Sequence, residues 1–384
     1  MPRDLTKAVF RILAALACLA GTALAADYES KAPFAILVDQ QSGSVLYEKA
    51  ADERFAPASM TKLLTAEIVF GEIAARRLSY FAALPISEHA WRRGGAPSGG
   101  SAMFAEIHSH VPVAELLRGM IIQSGNDAAI ALAEGVAGSE PAFVERMNAR
   151  ARELGLTGSQ FRNSNGWPDP EQYVTARDLA LLARHIIATY PSRYPIFGEP
   201  EFTWNKIYQK NRNPLVGTNG IDGMKTGYVK ESGYGMTVSA ALGEQRLVAV
   251  VAGLASARER DAEATRILDW GFRSFEPAMI FDADTVIGEA SVYGGVVGRV
   301  PLKAKGEVRA LLPRGGGAEI RARVVYQGPL MAPVEANARA GDLKIYDGER
   351  LIQSAPLYTA DAVPRGSLNS RAFDALGELL LGWL

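Results

Sequence analysis

The chain has 384 residues, which is enough for two or three domains with a large buried core. Hydrophobic residues make up 48% and charged residues 22%, and this ordinary globular composition excludes a mainly disordered, collagen-like or coiled-coil chain. The formal net charge is -1, so there is no overall positive field and we expect no nucleic-acid partner. The single cysteine excludes an internal disulfide framework, a cysteine-rich zinc site and an iron–sulfur cluster.

The N-terminal segment has the layout of a secretory signal peptide. Three basic residues precede the apolar run 12–24, which is too short to span a membrane and ends in the small-residue pattern Ala-Leu-Ala. We therefore predict a signal peptide over residues 1–25 and an exported chain, with an uncleaved anchor as the alternative. Cleavage would remove three basic groups, one acid and Cys18, which takes the formal charge from -1 to -3. A cysteine-free chain suits an oxidising compartment.

Hydrophobic patterning predicts a strand hairpin followed by helices. Residues 34–39 and 44–48 are short β-type runs, and residues 59–73, after Pro57, have the apolar pattern of a buried helix. Residues 94–101 are rich in Gly, Pro and Ser, which predicts a loop. Further helices are predicted at residues 113–122, 128–136, 141–154 and 175–187.

The periodicity changes to that of strands after residue 222, and a helix is predicted at 262–275. The predicted strands are residues 224–229, 235–241 and 246–254. Together with the hairpin they form an antiparallel sheet with flanking helices, so we predict an α+β domain over residues 27–276. Residues 277–366 hold short β runs separated by Gly, Pro and Asp, which predicts a small all-β domain. Residues 367–384 are an apolar tail with an amphipathic pattern, shorter than a membrane-spanning helix.

A hydroxyl and an amine are spaced for nucleophilic catalysis at the start of a predicted helix. Ser59 and Lys62 lie three residues apart, so on a helix both side chains face the same way. Serine is a poor nucleophile until a base takes its proton, and a buried lysine held neutral can be that base. The amide N–H of Ser59 would also stabilise a developing oxyanion.

Two further motifs supply groups of the kind that bind a peptide. Ser124-Gly-Asn126 lies in the polar break between two apolar helices, where a hydroxyl and an amide can project into a cleft. Lys225, Thr226 and Gly227 begin a strand with a positive charge, a hydroxyl and room for a ligand backbone. Each motif alone is also typical of a turn. Together with the Ser59 and Lys62 pair, and in this order along the chain, the two motifs match those of class A β-lactamases and penicillin-binding proteins.

The sequence resembles the D-alanyl-D-alanine carboxypeptidases among the low-molecular-mass penicillin-binding proteins. The resemblance covers essentially the whole mature chain. It rests on Pro57-Ala-Ser-Met-Thr-Lys62, Leu116-Leu-Arg-Gly-Met120, Ser124-Gly-Asn-Asp-Ala-Ala129, Thr175-Ala-Arg-Asp178 and Asp222-Gly-Met-Lys-Thr-Gly227. It implies a β-lactamase/penicillin-binding-like catalytic domain, no cofactor, peptidoglycan stem peptides as substrate and β-lactam antibiotics as covalent inhibitors. It also implies that the tail attaches the periplasmic protein to the outer face of the inner membrane, although the tail would alternatively pack on the β domain or on a partner subunit.

The resemblance assigns roles to the reactive side chains. It implies that Ser59 is the acylated nucleophile, that Lys62 is its base and that Ser124 passes the proton to the leaving amine. Asn126 would hold the substrate amide. Lys225 would keep the base neutral by like-charge repulsion.

The resemblance also implies which residues recognise the substrate. The N–H groups of Tyr228 and of the nucleophile would form the oxyanion hole. Thr226, Arg212 and Arg260 match positions that bind or organise the terminal carboxylate. The family often has His where this chain has Tyr228, and a backbone donor survives that change.

The resulting hypothesis is a serine-type carboxypeptidase that removes the terminal D-Ala from stem pentapeptides. A D,D-endopeptidase that cuts peptidoglycan crosslinks would use the same residues, and a non-catalytic peptidoglycan-binding scaffold is another alternative. A class A β-lactamase needs a deacylating carboxylate, but the region 161–175 offers Asp169 and Glu171 without the Glu-x-x-Leu-Asn pattern. A metallopeptidase would have only His108 and His110, so we predict no metal site.

Overall fold

The computed structural model of the protein describes residues 28–315 and 319–367. The predicted signal peptide and the tail from residue 368 onward lie outside these ranges. None of the helices in the two described ranges has the length and apolarity needed to cross a bilayer.

An antiparallel five-stranded sheet lies at the centre of the first domain. The strands of this domain are β1 (Phe34–Asp39), β2 (Val45–Lys49), β3 (Ala83–Pro85), β4 (His110–Pro112), β5 (Glu201–Trp204), β6 (Ile207–Lys210), β7 (Ile221–Val229), β8 (Gly233–Leu242) and β9 (Gln245–Leu254). The central sheet has the order β2-β1-β9-β8-β7. Strand β1 pairs with β9, with Ala35 opposite Val251, so the two ends of the domain meet in one sheet as predicted.

Helices cover both faces of the sheet. They are α1 (Lys62–Ala74), α2 (Glu88–Gly94), α3 (Val113–Ile121), α4 (Asn126–Ala137), α5 (Glu140–Glu153), α6 (Ala176–Thr189) and α7 (Ala257–Ser274). Side chains of α1, α3, α4 and α6 pack with Val248 and Val250 of β9 in one core, whereas α7 packs on the opposite face against Leu247 and Ala249. Residues 247–252 of β9 are buried on both faces of the sheet, and all six are apolar.

Several element boundaries differ from the predictions. The helix predicted from residue 59 starts as a 3-10 turn, Ala58–Thr61, so Lys62 is the first residue of α1. Helix α7 starts five residues before its predicted beginning because the Ser256 side chain caps it by accepting from Glu259 N–H. Helix α2 and strands β3 to β6 were not predicted. They are three to seven residues long, too short for a hydrophobic period to be read from them.

The C-terminal region is all β, as predicted. Its strands are β10 (Phe275–Phe281), β11 (Val286–Tyr293), β12 (Arg299–Lys303), β13 (Val308–Pro313), β14 (Ile320–Tyr326), β15 (Leu330–Met331), β16 (Arg339–Asp347) and β17 (Arg350–Thr359). They form a six-stranded sheet and a β10-β13 pair around a small core. Strand β10 starts directly after α7, and Arg350 Nη1 donates to the Leu46 carbonyl at 3.1 Å, which joins this domain to the edge of the central sheet.

Candidate active site

Ser59 lies in the 3-10 turn Ala58–Thr61, which is closely packed by two glycines. Ala58 itself has a positive φ of 49°. A Cβ atom added to Gly166 would lie 1.8 Å from the Ala58 carbonyl oxygen, and one added to Gly227 would lie 2.9 Å from the Pro57 carbonyl oxygen. Only glycine lets β7 and the loop around residue 166 approach the turn this closely. Gly227 therefore has a packing function in addition to the ligand-binding function predicted for it.

Lys62 contacts Ser59 and two carbonyl-type oxygens. Its Nζ lies 2.9 Å from Ser59 Oγ and donates to Asn126 Oδ1 at 2.7 Å and to the Asn165 carbonyl at 2.5 Å. The two carbonyl oxygens only accept hydrogen bonds. A neutral amine has two N–H groups, and with both donated to these oxygens its lone pair faces Ser59. The arrangement suits an amine that accepts the Ser59 proton.

The environment of Lys62 favours this neutral form. The side chain is 1% exposed. Burial lowers the pKa of Lys62 well below its ordinary value, and the positive charge of Lys225 lowers it further. The negative charge of Asp127 opposes this shift.

Lys225 lies in β7 and is equally buried. Its Nζ donates to the Thr226 carbonyl at 3.2 Å. Burial, followed by the positive charges of Arg212 and Arg260, lowers the pKa of Lys225 to about 7. The structure therefore brings the predicted carboxylate-binding cations together, although they come from β7, from the segment before it and from α7.

The two arginines are held in different ways. The backbone N–H of Arg212 donates to the Ile122 carbonyl at 2.9 Å, and its side chain is exposed beside the segment that leads into Ser124. Arg260 is buried and forms a 2.7 Å ion pair with Asp261. Arg212 is consequently the arginine whose guanidinium is open to a ligand, whereas the charge of Arg260 is partly neutralised.

Ser124 and Asn126 lie at the start of α4. Ser124 has a φ of 67°, a region that non-glycine residues rarely adopt, and its side chain is buried. Its Oγ has no hydrogen-bond partner within the two described ranges. An unpaired buried hydroxyl at a strained backbone position is typical of a functional site. Asn126 binds the same lysine as the Ser59 hydroxyl does, so the first two predicted motifs meet around one amine, and the positive charge of Lys225 in the third motif lowers the pKa of that amine.

Two residues that the sequence analysis did not assign also support the site. Asp127 is fully buried, and its carboxylate accepts from the backbone N–H groups of Met103, Ala105 and Ala128 at 2.9 to 3.1 Å. Burial raises the pKa of Asp127, and these amides oppose that shift. The Asn165 carbonyl binds Lys62, but a backbone acceptor leaves no signal in sequence. For Asp127 the signal was present, as the fourth residue of the Ser124 motif.

The carboxylates and histidines considered for other enzyme classes have separate partners. Asp169 accepts from the backbone N–H of Glu171 at 2.8 Å, and Glu171 forms a 3.1 Å ion pair with Arg162 on the surface. His108 and His110 are exposed. Within residues 28–315 and 319–367 there is no group of three or more His, Cys, Asp or Glu side chains arranged to hold a metal ion.

Comparison with known proteins identifies the family. The family model described as D-alanyl-D-alanine carboxypeptidase matches residues 21–256 of this chain. The chain belongs to the D-alanyl-D-alanine carboxypeptidase family. A second model, the C-terminal domain of penicillin-binding protein 5, matches residues 275–365.

Individual relatives extend over nearly the whole chain. D-alanyl-D-alanine carboxypeptidase DacC of Escherichia coli (strain K12) is 38% identical over 364 residues, which cover 92% of this chain and 91% of the relative. The crystal structure of penicillin binding protein 5 from Haemophilus influenzae is 36% identical with a TM-score of 0.77, covering 88% of this chain and 99% of that chain. Penicillin-binding protein D2 from Listeria monocytogenes, solved in the ampicillin-bound form, is 27% identical with a TM-score of 0.56, covering 64% of this chain and 99% of that one.

These comparisons confirm the predicted family and the predicted fold, an α+β catalytic domain followed by an all-β domain. They also confirm the predicted enzyme class, a D-alanyl-D-alanine carboxypeptidase, and favour it over the endopeptidase and scaffold alternatives.

Proposed function

We propose that this protein is a serine-type D-alanyl-D-alanine carboxypeptidase that removes the terminal D-Ala from peptidoglycan stem pentapeptides through an acyl-enzyme on Ser59. The observation that carries the proposal is the buried Lys62 amine, 2.9 Å from Ser59 Oγ, with its two remaining partners both acceptors. This arrangement supports proton removal from the hydroxyl at the moment of attack.

In the proposed acylation step, Lys62 takes the proton while Ser59 Oγ attacks the carbonyl carbon of the penultimate D-Ala. The backbone N–H groups of Ser59 and Tyr228 stabilise the oxyanion. Ser124 then relays the proton from Lys62 to the leaving nitrogen, the C–N bond breaks and free D-Ala departs. A water molecule activated by Lys62 hydrolyses the ester and restores the serine.

The substrate carboxylate is proposed to lie among Lys225, Thr226 and Arg212. Burial of Lys225 beside two arginines strengthens this attraction because the local dielectric is low. The peptide backbone would extend antiparallel beside β7, with the Asn126 side-chain amide bound to its amide group. Arg260, paired with Asp261, organises the cationic cluster from behind.

We also propose that β-lactams acylate Ser59, because their strained amide presents the same carbonyl to the same nucleophile.

For localisation we propose the periplasm, with the tail on the outer face of the inner membrane. A chain that ends at Ser367 should keep peptidase activity and move from the membrane fraction to the soluble periplasmic fraction. Recovery of the full-length protein in the soluble fraction would contradict the anchor.

Mass spectrometry of purified stem peptides tests the proposed reaction. Incubation of the pentapeptide should release one alanine, and Ser59→Ala should release none. Cleavage of a crosslinked dimer without release of alanine would show an endopeptidase instead, and no reaction with either substrate would show a binding protein.

A further inference from the structure

A cavity of about 520 Å³ adjoins the catalytic centre on the side of Asn165. Asn165 belongs to both places, since it lines the cavity and its carbonyl binds the Lys62 amine. Trp167 forms a second wall and donates its backbone N–H to Asn165 Oδ1 at 2.9 Å. A Cβ atom on Gly100 would lie 2.9 Å from Asn126 Nδ2 and 3.3 Å from the Trp167 indole. One loop residue therefore separates the catalytic amide from the cavity wall.

The acidic residues that line the cavity already accept hydrogen bonds from other residues of the chain. Glu140 accepts from the N–H and Oγ of Ser164 through Oε1, while its Oε2 lies 3.0 Å from His89 Nε2. Asp169 accepts from the backbone N–H of Glu171 and closes its own turn. These carboxylates have little capacity left for a cationic ligand.

Not all of the basic residues that line the cavity form ion pairs or hydrogen bonds within the described ranges. Arg92 pairs with Glu88 in the same helix, and Arg162 pairs with Glu171 at 3.1 Å. Arg93 has no ion pair or hydrogen bond to any part of the chain that the structure describes, and its side chain is exposed. The cavity thus presents one uncommitted guanidinium, that of Arg93, whereas the charges of Arg92 and Arg162 are partly neutralised by their carboxylate partners.

We propose that this cavity, which we call the Arg93 subsite (Arg92, Arg93, Arg162, Asn165 and Trp167), binds a substrate side chain that ends in a carboxylate. The side chain belongs to the residue that precedes the D-Ala-D-Ala pair. The inference rests on the proposed function, which places the terminal carboxylate of the peptide at the Lys225 cluster.

The direction of the peptide follows from that placement. With the scissile carbonyl at Ser59 and the carboxylate among Lys225 and Arg212, the acyl part of the peptide extends away from those cations. None of them lines the Arg93 subsite, which meets the catalytic centre at Asn165 instead. The partly exposed indole of Trp167 covers the methylene stem of such a side chain, and Arg93 receives its carboxylate through charge-assisted hydrogen bonds.

Three synthetic peptides test the subsite. Each is N-acetyl-Xaa-D-Ala-D-Ala, where Xaa is 2-aminopimelate, lysine or norleucine, so that the side chains are similar in length and end in a carboxylate, an ammonium or a methyl group. At low ionic strength the wild type should hydrolyse the carboxylate peptide with a kcat/KM about fivefold above the norleucine peptide, the size expected for an exposed charge pair. The lysine peptide should be the poorest. Added salt should reduce these differences.

The variants separate charge recognition from other effects. Arg93→Ala should abolish the preference for the carboxylate peptide and leave the norleucine peptide unchanged, and Arg93→Glu should make the lysine peptide the best substrate. Arg152→Ala is the matched control, because Arg152 is also an exposed arginine in the last turn of a helix but lies outside the cavity.

Equal kcat/KM values for the three peptides in the wild type would overturn the subsite, as would an equal loss for all three in Arg93→Ala. Failure of the proposed function would look different, since none of the peptides, the norleucine peptide included, would then release D-Ala.

Discussion

Lys62 and Lys225 are both 1% exposed, and the positive charge of Lys225 lowers the pKa of Lys62. Two buried ammonium groups so close together disfavour the doubly charged state. Burial and the charge of Lys225 lower the pKa of Lys62 well below its ordinary value, so Lys62 is the lysine suited to be neutral. Lys225 is suited to keep its charge for a carboxylate. In the proposed mechanism the pair thus separates a base from an anion-binding group, although both residues are of one type.

Covalent labelling should occur at one serine. Ser59 is the only serine with lysine at the third following position, and its hydroxyl lies 2.9 Å from the buried Lys62 amine. A fluorescent penicillin should label Ser59 in the wild type and nothing in Ser59→Ala, as shown by gel and peptide mapping. Ser124→Ala retains the nucleophile and should still be labelled, but more slowly. Label on a different serine would refute the assignment.

The rate should rise with pH on the acid side. The proposed acylation step needs neutral Lys62, whose pKa is lowered by burial and by Lys225, so kcat/KM should increase as pH rises through that lowered pKa. Replacing Lys225 by glutamine removes one of the two causes. The pKa of Lys62 should then rise, and the ascending limb should move to higher pH. An unmoved limb in Lys225→Gln would show that the two lysines are not coupled.

The descending, alkaline limb of the pH profile of kcat/KM should reflect the loss of the Lys225 positive charge. Its pKa is about 7 in the free protein, so the cation is lost as pH rises through that value. For a peptide with a free terminal carboxylate, kcat/KM should fall above about pH 7. In the pH profile of kcat, the descending limb should lie at higher pH, because the bound substrate carboxylate stabilises the charged amine of Lys225. A peptide amidated at its C-terminus serves as control and should be a poor substrate without the descending limb. A limb of equal size for both peptides would contradict carboxylate recognition by Lys225.

Glu67 should contribute strongly to stability. It is fully buried in α1. Its carboxylate accepts hydrogen bonds from Arg150 at 2.7 Å and from Tyr190 at 3.2 Å, and it lies 3.1 Å from His185 Nε2. Glu67→Ala removes the buried acceptor that these three groups share and should lower the free energy of unfolding by about 3 kcal/mol. Glu153→Ala removes the exposed partner of the same arginine and should cost less than about 1 kcal/mol. Urea denaturation measures both, and equal losses would refute the prediction.

Gly166 should be essential for the geometry of the Ser59 turn. Its φ is 87°, and a methyl group there would overlap the Ala58 carbonyl oxygen. Gly166→Ala should displace the turn and slow acylation by penicillin by about 100-fold. Gly155→Ala is the matched control, because Gly155 has a φ of 76° but nothing within 4 Å of an added Cβ. If both variants are slowed equally, backbone strain rather than the close contact is responsible, and an unslowed Gly166→Ala would contradict the prediction.

The sequence by itself determined the local parts of the site. The spacing of Ser59 and Lys62, the polar break at Ser124 and the start of a strand at Lys225 are short-range features, set by helical and strand geometry over a few residues. The alternation of apolar residues likewise indicated the hairpin and the later strands that share one sheet. The short elements α2 and β3 to β6 carry too few residues for such a pattern.

Only the tertiary structure decided how these parts act together. The Asn165 carbonyl that accepts from Lys62 lies 103 residues away along the chain. Because it is a backbone group, which every residue type has, its role cannot be predicted from the sequence. The pKa of Lys62, at the start of α1, depends on burial and on Lys225, which the fold brings close from strand β7. Arg93 differs from other surface arginines only in what surrounds it. Desolvation and Coulomb energy depend on distances in space, and folding sets those distances between residues far apart in sequence.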